Sequence, residues 1–281
     1  MTIAEIEPRP GCRVAVEVHH PDATAAALFS SGLGLPMSAW RAVVPLLADV
    51  RCVLVDRPGI GRSPARPDGP DPLAAQVTML LAALESSGPS GRVVVVGHSA
   101  GALAAEALAR LRPDLVTGLV LVDPTDPRQE AVRLQLEGAA ARVAERVVGP
   151  PAVAHAVGVV VGRAALALGT ARRPPNEVRD ELLAVTRLPR HLQASVRELG
   201  RIRAESLELL AIAAEHPLTV DTRLLVAGRG GRFAPWPTGS RRMAALGASL
   251  GVTPVTTDAA HLVMADDPQA VADAVNGLLA R

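Results

Sequence analysis

The stretch Arg92-Val-Val-Val-Val-Gly-His-Ser-Ala-Gly-Ala-Leu-Ala-Ala-Glu-Ala-Leu-Ala-Arg-Leu111 decides the reading of this chain. Four consecutive valines form the β-branched apolar run expected of a strand covered on both faces. The Ala/Leu-rich segment from Ala100 to Leu111 has strong helix formers throughout. Between them stands Gly97-His98-Ser99-Ala100-Gly101, a G-x-S-x-G placed where a strand turns sharply into a helix. In that context the small neighbours let the backbone take a strained turn, which lifts the Ser99 hydroxyl above the sheet as a candidate nucleophile. The helix start behind it favours developing negative charge.

Working outward, short β-branched runs alternate with helical patterns, the signature of β-α-β units around a mostly parallel sheet. Strands are predicted at Arg13–Val18, Ala25–Ser30, Arg51–Val55, Arg92–Val96, Gly118–Val122, Arg223–Ala227 and Val252–Thr256. Helices are predicted at Met37–Ala48, Pro72–Glu85, Ala100–Leu111, near Thr238–Leu250 and at Pro268–Ala280. The interval Asp126–Val220 carries no strand signal and reads as several helices broken at Gly149-Pro150-Pro151 and Arg173-Pro174-Pro175. Within it Val196, Leu199, Ile202, Leu209 and Leu210 fall near one helical face. The implied organisation is a core of residues 1–125 and 221–281 with a helical insert at 126–220.

Composition narrows the function classes. The 281 residues suit either one large α/β domain or two small domains, so length alone does not set the domain count. Hydrophobic residues make up 49% and aromatics 1%, so Ala, Val and Leu must do the packing. All 29 basic residues are arginine, balanced by 28 acidic ones without a block of like charge, which gives no footprint for nucleic acid. Cys12 and Cys52 lack metal or redox spacing and read as buried thiols of a cytoplasmic protein. The N-terminal Met-Thr-Ile-Ala-Glu-Ile-Glu-Pro-Arg-Pro is not an ordinary secretory signal. The most apolar stretch, Pro151–Gly169, is interrupted by His155, Gly158 and Arg163 and reads as a lid or buried helix rather than an integral membrane segment.

The Gly97–Gly101 motif, the loop Ser31-Gly-Leu-Gly-Leu-Pro36 followed by Trp40, and Asp56-Arg-Pro-Gly-Ile-Gly-Arg-Ser63 together resemble the α/β-hydrolase superfamily over most of the chain outside the insert. The resemblance implies an α/β-hydrolase fold with a helical cap and a catalytic triad that needs no cofactor. It implies an oxyanion hole formed by the Leu33 and Ala100 N–H groups, although Ser31 stands where the family usually has His. It identifies His261, in Asp258-Ala-Ala-His-Leu-Val-Met264, as the base. His98 should point away from the nucleophile and reads as structural, while His19, His20, His155, His191 and His216, in the N-terminal strand region or the helical insert, read as surface or core histidines. Asp56 and its loop, Trp40 and Trp236 are scaffold.

The acid departs from the family's pattern. The loop after Arg223–Ala227 reads Gly228-Arg-Gly-Gly231, so Gly231 occupies the place of the expected carboxylate. Some members of the fold place the acid at the end of the sixth strand, which makes Asp123 the first candidate. Asp126, Asp221, Asp258 and a Ser-His dyad without an acid remain alternatives. A serine nucleophile argues against Asp-dependent dehalogenase and epoxide-hydrolase chemistry. The implied activity is hydrolysis of an ester, thioester or lactone of a small lipophilic acyl substrate; the alternative is a ligand-binding protein of the same fold with little or no catalysis. The apolar insert is compatible with a homodimer or with contact at a membrane surface.

Overall fold

In the computed structural model, residues 2–65, 72–88, 91–131, 138–230 and 240–280 are described. Eight strands form one sheet: β1 (Thr2–Arg9), β2 (Cys12–His19), β3 (Ala25–Ser30), β4 (Val50–Val55), β5 (Val93–His98), β6 (Gly118–Val122), β7 (Asp221–Ala227) and β8 (Val255–Thr257). Their order is β1-β2-β4-β3-β5-β6-β7-β8. The β1–β2 and β2–β4 pairs are antiparallel, and every pair from β4–β3 to β7–β8 is parallel.

Alternation along the central strands explains why they read as unbroken apolar runs. Val93 and Val95 point into one core layer, with Leu103 and Leu108 of α2 (Gly101–Leu111) and Leu80 and Leu84 of α1 (Leu73–Ser86). Val94 and Val96 point into the opposite layer, with Trp40, Val263 and Val275. Each full burial of such a side chain contributes about 1.5–3 kcal/mol. This two-sided cover comes from nearly all-aliphatic residues, as the composition requires.

Between β6 and β7 the described residues contain helices and no strand: α3 (Pro127–Glu130), α4 (Gly138–Val147), α5 (Pro151–Gly169), α6 (Asn176–Val185), α7 (Pro189–Leu199) and α8 (Ile202–Glu215). The chain closes with α9 (Ser240–Leu250), α10 (Val263–Asp266) and α11 (Pro268–Leu279). The insert does not act as one block. α7 lies on the loops after β3 and β4, whereas α8 packs on α2 and α3, and Leu209 enters the core layer beneath α2. Gly158 and Gly162 of α5 face Thr186, where no room exists for a Cβ. The opposite side of α5 leaves Val153, Val160 and Val161 exposed, and the helix is long and apolar enough to cross a membrane by length and composition.

Four local readings differ from the structure. Residues Met37–Ala48 form two 3-10 turns, Met37–Trp40 and Val44–Leu46, instead of one helix. Pro45 can donate no backbone hydrogen bond, and the N–H groups of Ala39, Arg41, Val43 and Leu46 reach back three residues instead of four. β1 was not among the expected strands; it is an antiparallel edge whose side chains are mostly exposed, so it has no apolar face to read. The last strand begins at Val255 instead of Val252. The apolar positions from Val196 to Leu210 lie on two helices separated at Gly200-Arg201, and Leu199 is exposed.

Candidate active site

Ser99, Asp123 and His261 follow β5, β6 and β8 at the carboxyl edge of the parallel strands, where open α/β sheets present their sites. Ser99 has φ of 49°, a left-handed conformation that a non-glycine residue adopts only when its surroundings enforce it. The enforcement is visible. Its N–H donates to Val122 O at 3.2 Å, and its carbonyl accepts from Ala102 N at 3.1 Å and Thr125 N at 3.0 Å. A Cβ on Gly97 would meet Ala102 Cα and Ala105 Cβ at 2.6 Å, and one on Gly101 would run into the carbonyls of Ser30 and Ser31. Both glycines of the motif are therefore needed for close approach of helix, strand and facing loop.

His261 Nδ1 donates to Asp123 Oδ2 at 2.6 Å, and His261 Nε2 lies 3.1 Å from Ser99 Oγ. Asp123 also has a positive φ, 39°, and its Oδ1 accepts from Ala227 N at 3.1 Å. Burial opposes the charge of this carboxylate, but the hydrogen bond and charge of His261 and the Ala227 N–H hold its pKa below the ordinary value. The ionised form is thus the one the site is built around. With Nδ1–H committed to Asp123, Nε2 is the ring atom left to accept the serine proton.

The other acid candidates are elsewhere. Asp126 caps α3, accepting from Arg128 N at 3.0 Å. Asp258 is exposed and pairs with Arg172 and Arg229. Asp221 opens β7, at the end of the strand away from Ser99. Gly231 and Trp236 lie outside the described residues.

His98 is buried behind the histidine and donates through Nε2 to His261 O at 2.9 Å. Burial, followed by the nearness of His261, pushes its pKa down to about 3, so it stays neutral and adds no second charge against the neighbouring ring. Trp40 is buried too, donating through Nε1 to Ser31 Oγ at 3.0 Å, which places it in the scaffold. Asp56 accepts from Met37 N and Arg62 N at 2.7 and 2.8 Å, fixing the loop after β4.

The loop Ser31–Pro36 passes close over the elbow, for a Cβ on Gly32 would meet Ser99 Cβ at 3.0 Å. Among the described residues, neither the Leu33 N–H nor the Ala100 N–H is spent on a protein acceptor. Both are available to an incoming group.

Three supporting residues were not foreseen in the sequence. Asp266 accepts from Ala260 N and from Ala171 N and Arg172 N, at 2.7 to 3.0 Å, and so ties the His261 loop to the end of α5. Glu198 and His191 of α7 reach Gly34 of the loop over the elbow. Their only sequence trace is a polar residue on an amphipathic insert helix, which any solvated helix shares.

The sequence profile of the Alpha/beta hydrolase family matches residues 27–274. Among curated proteins, the chain is 30% identical over 223 residues to the "Putative carbamate hydrolase RutD" of Stutzerimonas stutzeri, covering 77% of each chain. It is 38% identical to Lipase LipV of Mycobacterium tuberculosis over 109 residues, 39% of this chain and 41% of that one. Among solved structures, a thermophilic esterase from Thermogutta terrifontis superposes with a TM-score of 0.72 at 22% identity, covering 100% of this chain and 98% of that one. Cfl2 from Burkholderia cenocepacia gives a TM-score of 0.76 at 22% identity, with 98% and 94% covered, and both likenesses speak to the fold alone. On the profile match and the RutD alignment, the chain belongs to the alpha/beta hydrolase family.

Proposed function

We propose that the protein is a serine hydrolase that cleaves a carboxylic ester, or a related acyl bond, of a small lipophilic substrate. Ser99 is the nucleophile, His261 the base and Asp123 the group that fixes the His261 tautomer and stabilises the imidazolium. His261 Nε2 takes the hydroxyl proton as Ser99 Oγ attacks the carbonyl. The Leu33 and Ala100 N–H groups receive the oxyanion. His261 then passes the proton to the leaving oxygen, and a water repeats the attack on the acyl-enzyme with the same base. The observation that carries this reading is the unbroken run of contacts from Asp123 Oδ2 through the two His261 nitrogens to Ser99 Oγ.

The apolar side chains of Leu35, Leu166, Val178, Leu182, Leu262 and Met264 gather beside the His261 loop around a space of only about 10 Å³, so a lipophilic acyl or alcohol group would enter there by parting them. Esters, thioesters, lactones and the carbamates suggested by the RutD relative all present the carbonyl this apparatus acts on. The insert, residues 126–220, serves as the cap that selects among them.

Covalent labelling tests the reading. A fluorophosphonate should add one phosphonyl group to the protein. Ser99→Ala should abolish both labelling and p-nitrophenyl ester turnover, by about 10⁴-fold or more, with an unchanged melting curve. A folded Ser99→Ala protein with wild-type turnover would overturn it.

A further inference from the structure

We propose that Arg57 and Glu198 are positioning residues that set the oxyanion donor of Leu33, so that insert helix α7 takes part in the chemistry without touching the substrate; this rests on the acyl-transfer reading above.

The loop Ser31–Gly34 has no strand or helix ladder to orient its peptides, so each polar group needs another partner. Arg57 supplies two of them. Its Nη1 donates to Ser31 O at 2.6 Å and its Nη2 to Gly32 O at 2.7 Å. Gly32 O also accepts from Leu35 N at 3.0 Å. The peptide joining Gly32 to Leu33 is planar and trans, so its C=O and N–H point in opposite directions. Fixing Gly32 O on the guanidinium therefore fixes the Leu33 N–H on the other side of the plane, in the loop that abuts Ser99. A cationic donor on the carbonyl also polarises the N–H of the same peptide.

Arg57 is held in turn by Glu198. Nε donates to Oε1 at 2.6 Å and Nη2 to Oε2 at 3.0 Å, a two-pronged contact that fixes the plane of the guanidinium. Glu198 Oε2 accepts from Gly34 N at 2.9 Å as well. The carbonyl of the same Gly34 accepts from His191 Nε2 at 3.0 Å, and Gly61 N donates to His191 Nδ1 at 3.3 Å. Burial first among the causes, the ring pKa falls to about 4, which keeps His191 in the neutral form these two bonds require. α7 thus grips Gly34 on both its N–H and its C=O, while Arg57 grips the carbonyls of Ser31 and Gly32. Arg57 is buried, so the fork works in a poorly screened setting.

A salt bridge that merely fastened the insert to the core would affect stability and leave the folded enzyme's chemistry alone. The two roles separate in a split between kcat and KM and in the affinity for a trifluoromethyl ketone ester analogue, which becomes a tetrahedral anion on Ser99. Removing one oxyanion donor outright costs about 10²–10³ in kcat, so misorienting it in Glu198→Ala should cost about 10- to 100-fold. The ketone should weaken by the same factor, with KM within about threefold and the pH profile of kcat/KM unmoved. Glu198→Gln, which keeps the shape and an acceptor oxygen but loses the charge, should recover most of the loss and still fall short of wild type by about 3-fold or more.

A folded Glu198→Ala enzyme with wild-type kcat and ketone affinity overturns the proposal, as does a KM effect alone. If Glu198→Ala does not fold, Glu198→Gln decides: an undiminished kcat, or failure of this variant to fold as well, assigns the pair to stability and rejects a positioning role. Failure of the parent reading looks different, because wild-type protein would then not label with fluorophosphonate at all.

Discussion

The elbow at Gly97–Gly101 and the loop Ser31–Gly34 face each other across the candidate site, yet they are built by opposite means. The elbow is fixed by neighbours in sequence and in the adjacent strand: the valine strand before it, the helix after it, and glycines where a Cβ would collide. The facing loop is fixed by side chains from far away, with Glu198 lying 164 residues from the Gly34 N–H it accepts from. Local geometry of the first kind leaves a mark in a pentapeptide. Support of the second kind leaves an arginine and a glutamate that look like any others.

The sharpest way to test the locally built side is at Asp123, which shares the enforced backbone of the elbow and completes the run to Ser99. Asp123→Asn should keep the fold and lower kcat by about 10³–10⁴, because the histidine then settles in the wrong tautomer. Asp126→Asn, which touches only the cap of α3, is the matched control and should stay close to wild type in steady-state kinetics. Comparable rates for both variants would remove Asp123 from the mechanism.

Gly101→Ala probes the contact between the two regions. The new methyl group would press on the Ser30 and Ser31 carbonyls, an overpacking that costs about 1–3 kcal/mol. Calorimetry should find Tm lower by about 2–12 °C, at roughly 2–4 °C per kcal/mol in a chain of this size. An unchanged Tm would mean that the loop yields easily and that its remote fastening is weak.

The smallest effect is expected beneath the Arg57–Glu198 fork, at Glu205. Burial, then the charge of Glu198, raises its pKa from 4.5 to about 8 against the pull of Arg201 and Arg57, with Glu208 adding to the rise. Gln76 Nε2 donates to Glu205 Oε1 at 2.9 Å. The folded protein therefore keeps a proton that the unfolded chain has already released. The stabilisation is complete below pH 4.5 and is lost as the pH climbs through about 8. Glu205→Gln should flatten this part of the Tm-against-pH curve, gaining about 3 °C or more at pH 8.5 and little at pH 5. Parallel curves for wild type and variant would show that Glu205 is ionised throughout.

The same contrast explains what could be read from the chain. The central parallel strands were legible because both faces are buried and the apolar runs are continuous. Motif and order single out Ser99 and His261, and Asp123 stands at a strand end while Gly231 offers no carboxylate; the three side chains meet in one hydrogen-bonded run, which is as far as their reading from the chain reaches. The segment Met37–Ala48 misled because apolar spacing does not register the missing donor of Pro45. β1 left no trace because an exposed edge strand needs no apolar face. Glu198, His191 and Asp266 were hidden because their roles exist only after the insert is folded over the loops.

Trp40 gives the molecule a built-in optical reporter. With no tyrosine and only two tryptophans in the chain, emission excited at wavelengths longer than phenylalanine absorbs comes from Trp40 and Trp236 alone. Trp40 is buried, bonded through its indole N–H to Ser31 and set edge-on to His98, with ring centroids 6.4 Å apart. One of the two fluorophores is thereby wired to the first residue of the loop over the elbow. In a Trp236→Phe background, the emission of the native chain would follow that loop in real time as a ligand enters, with no dye attached.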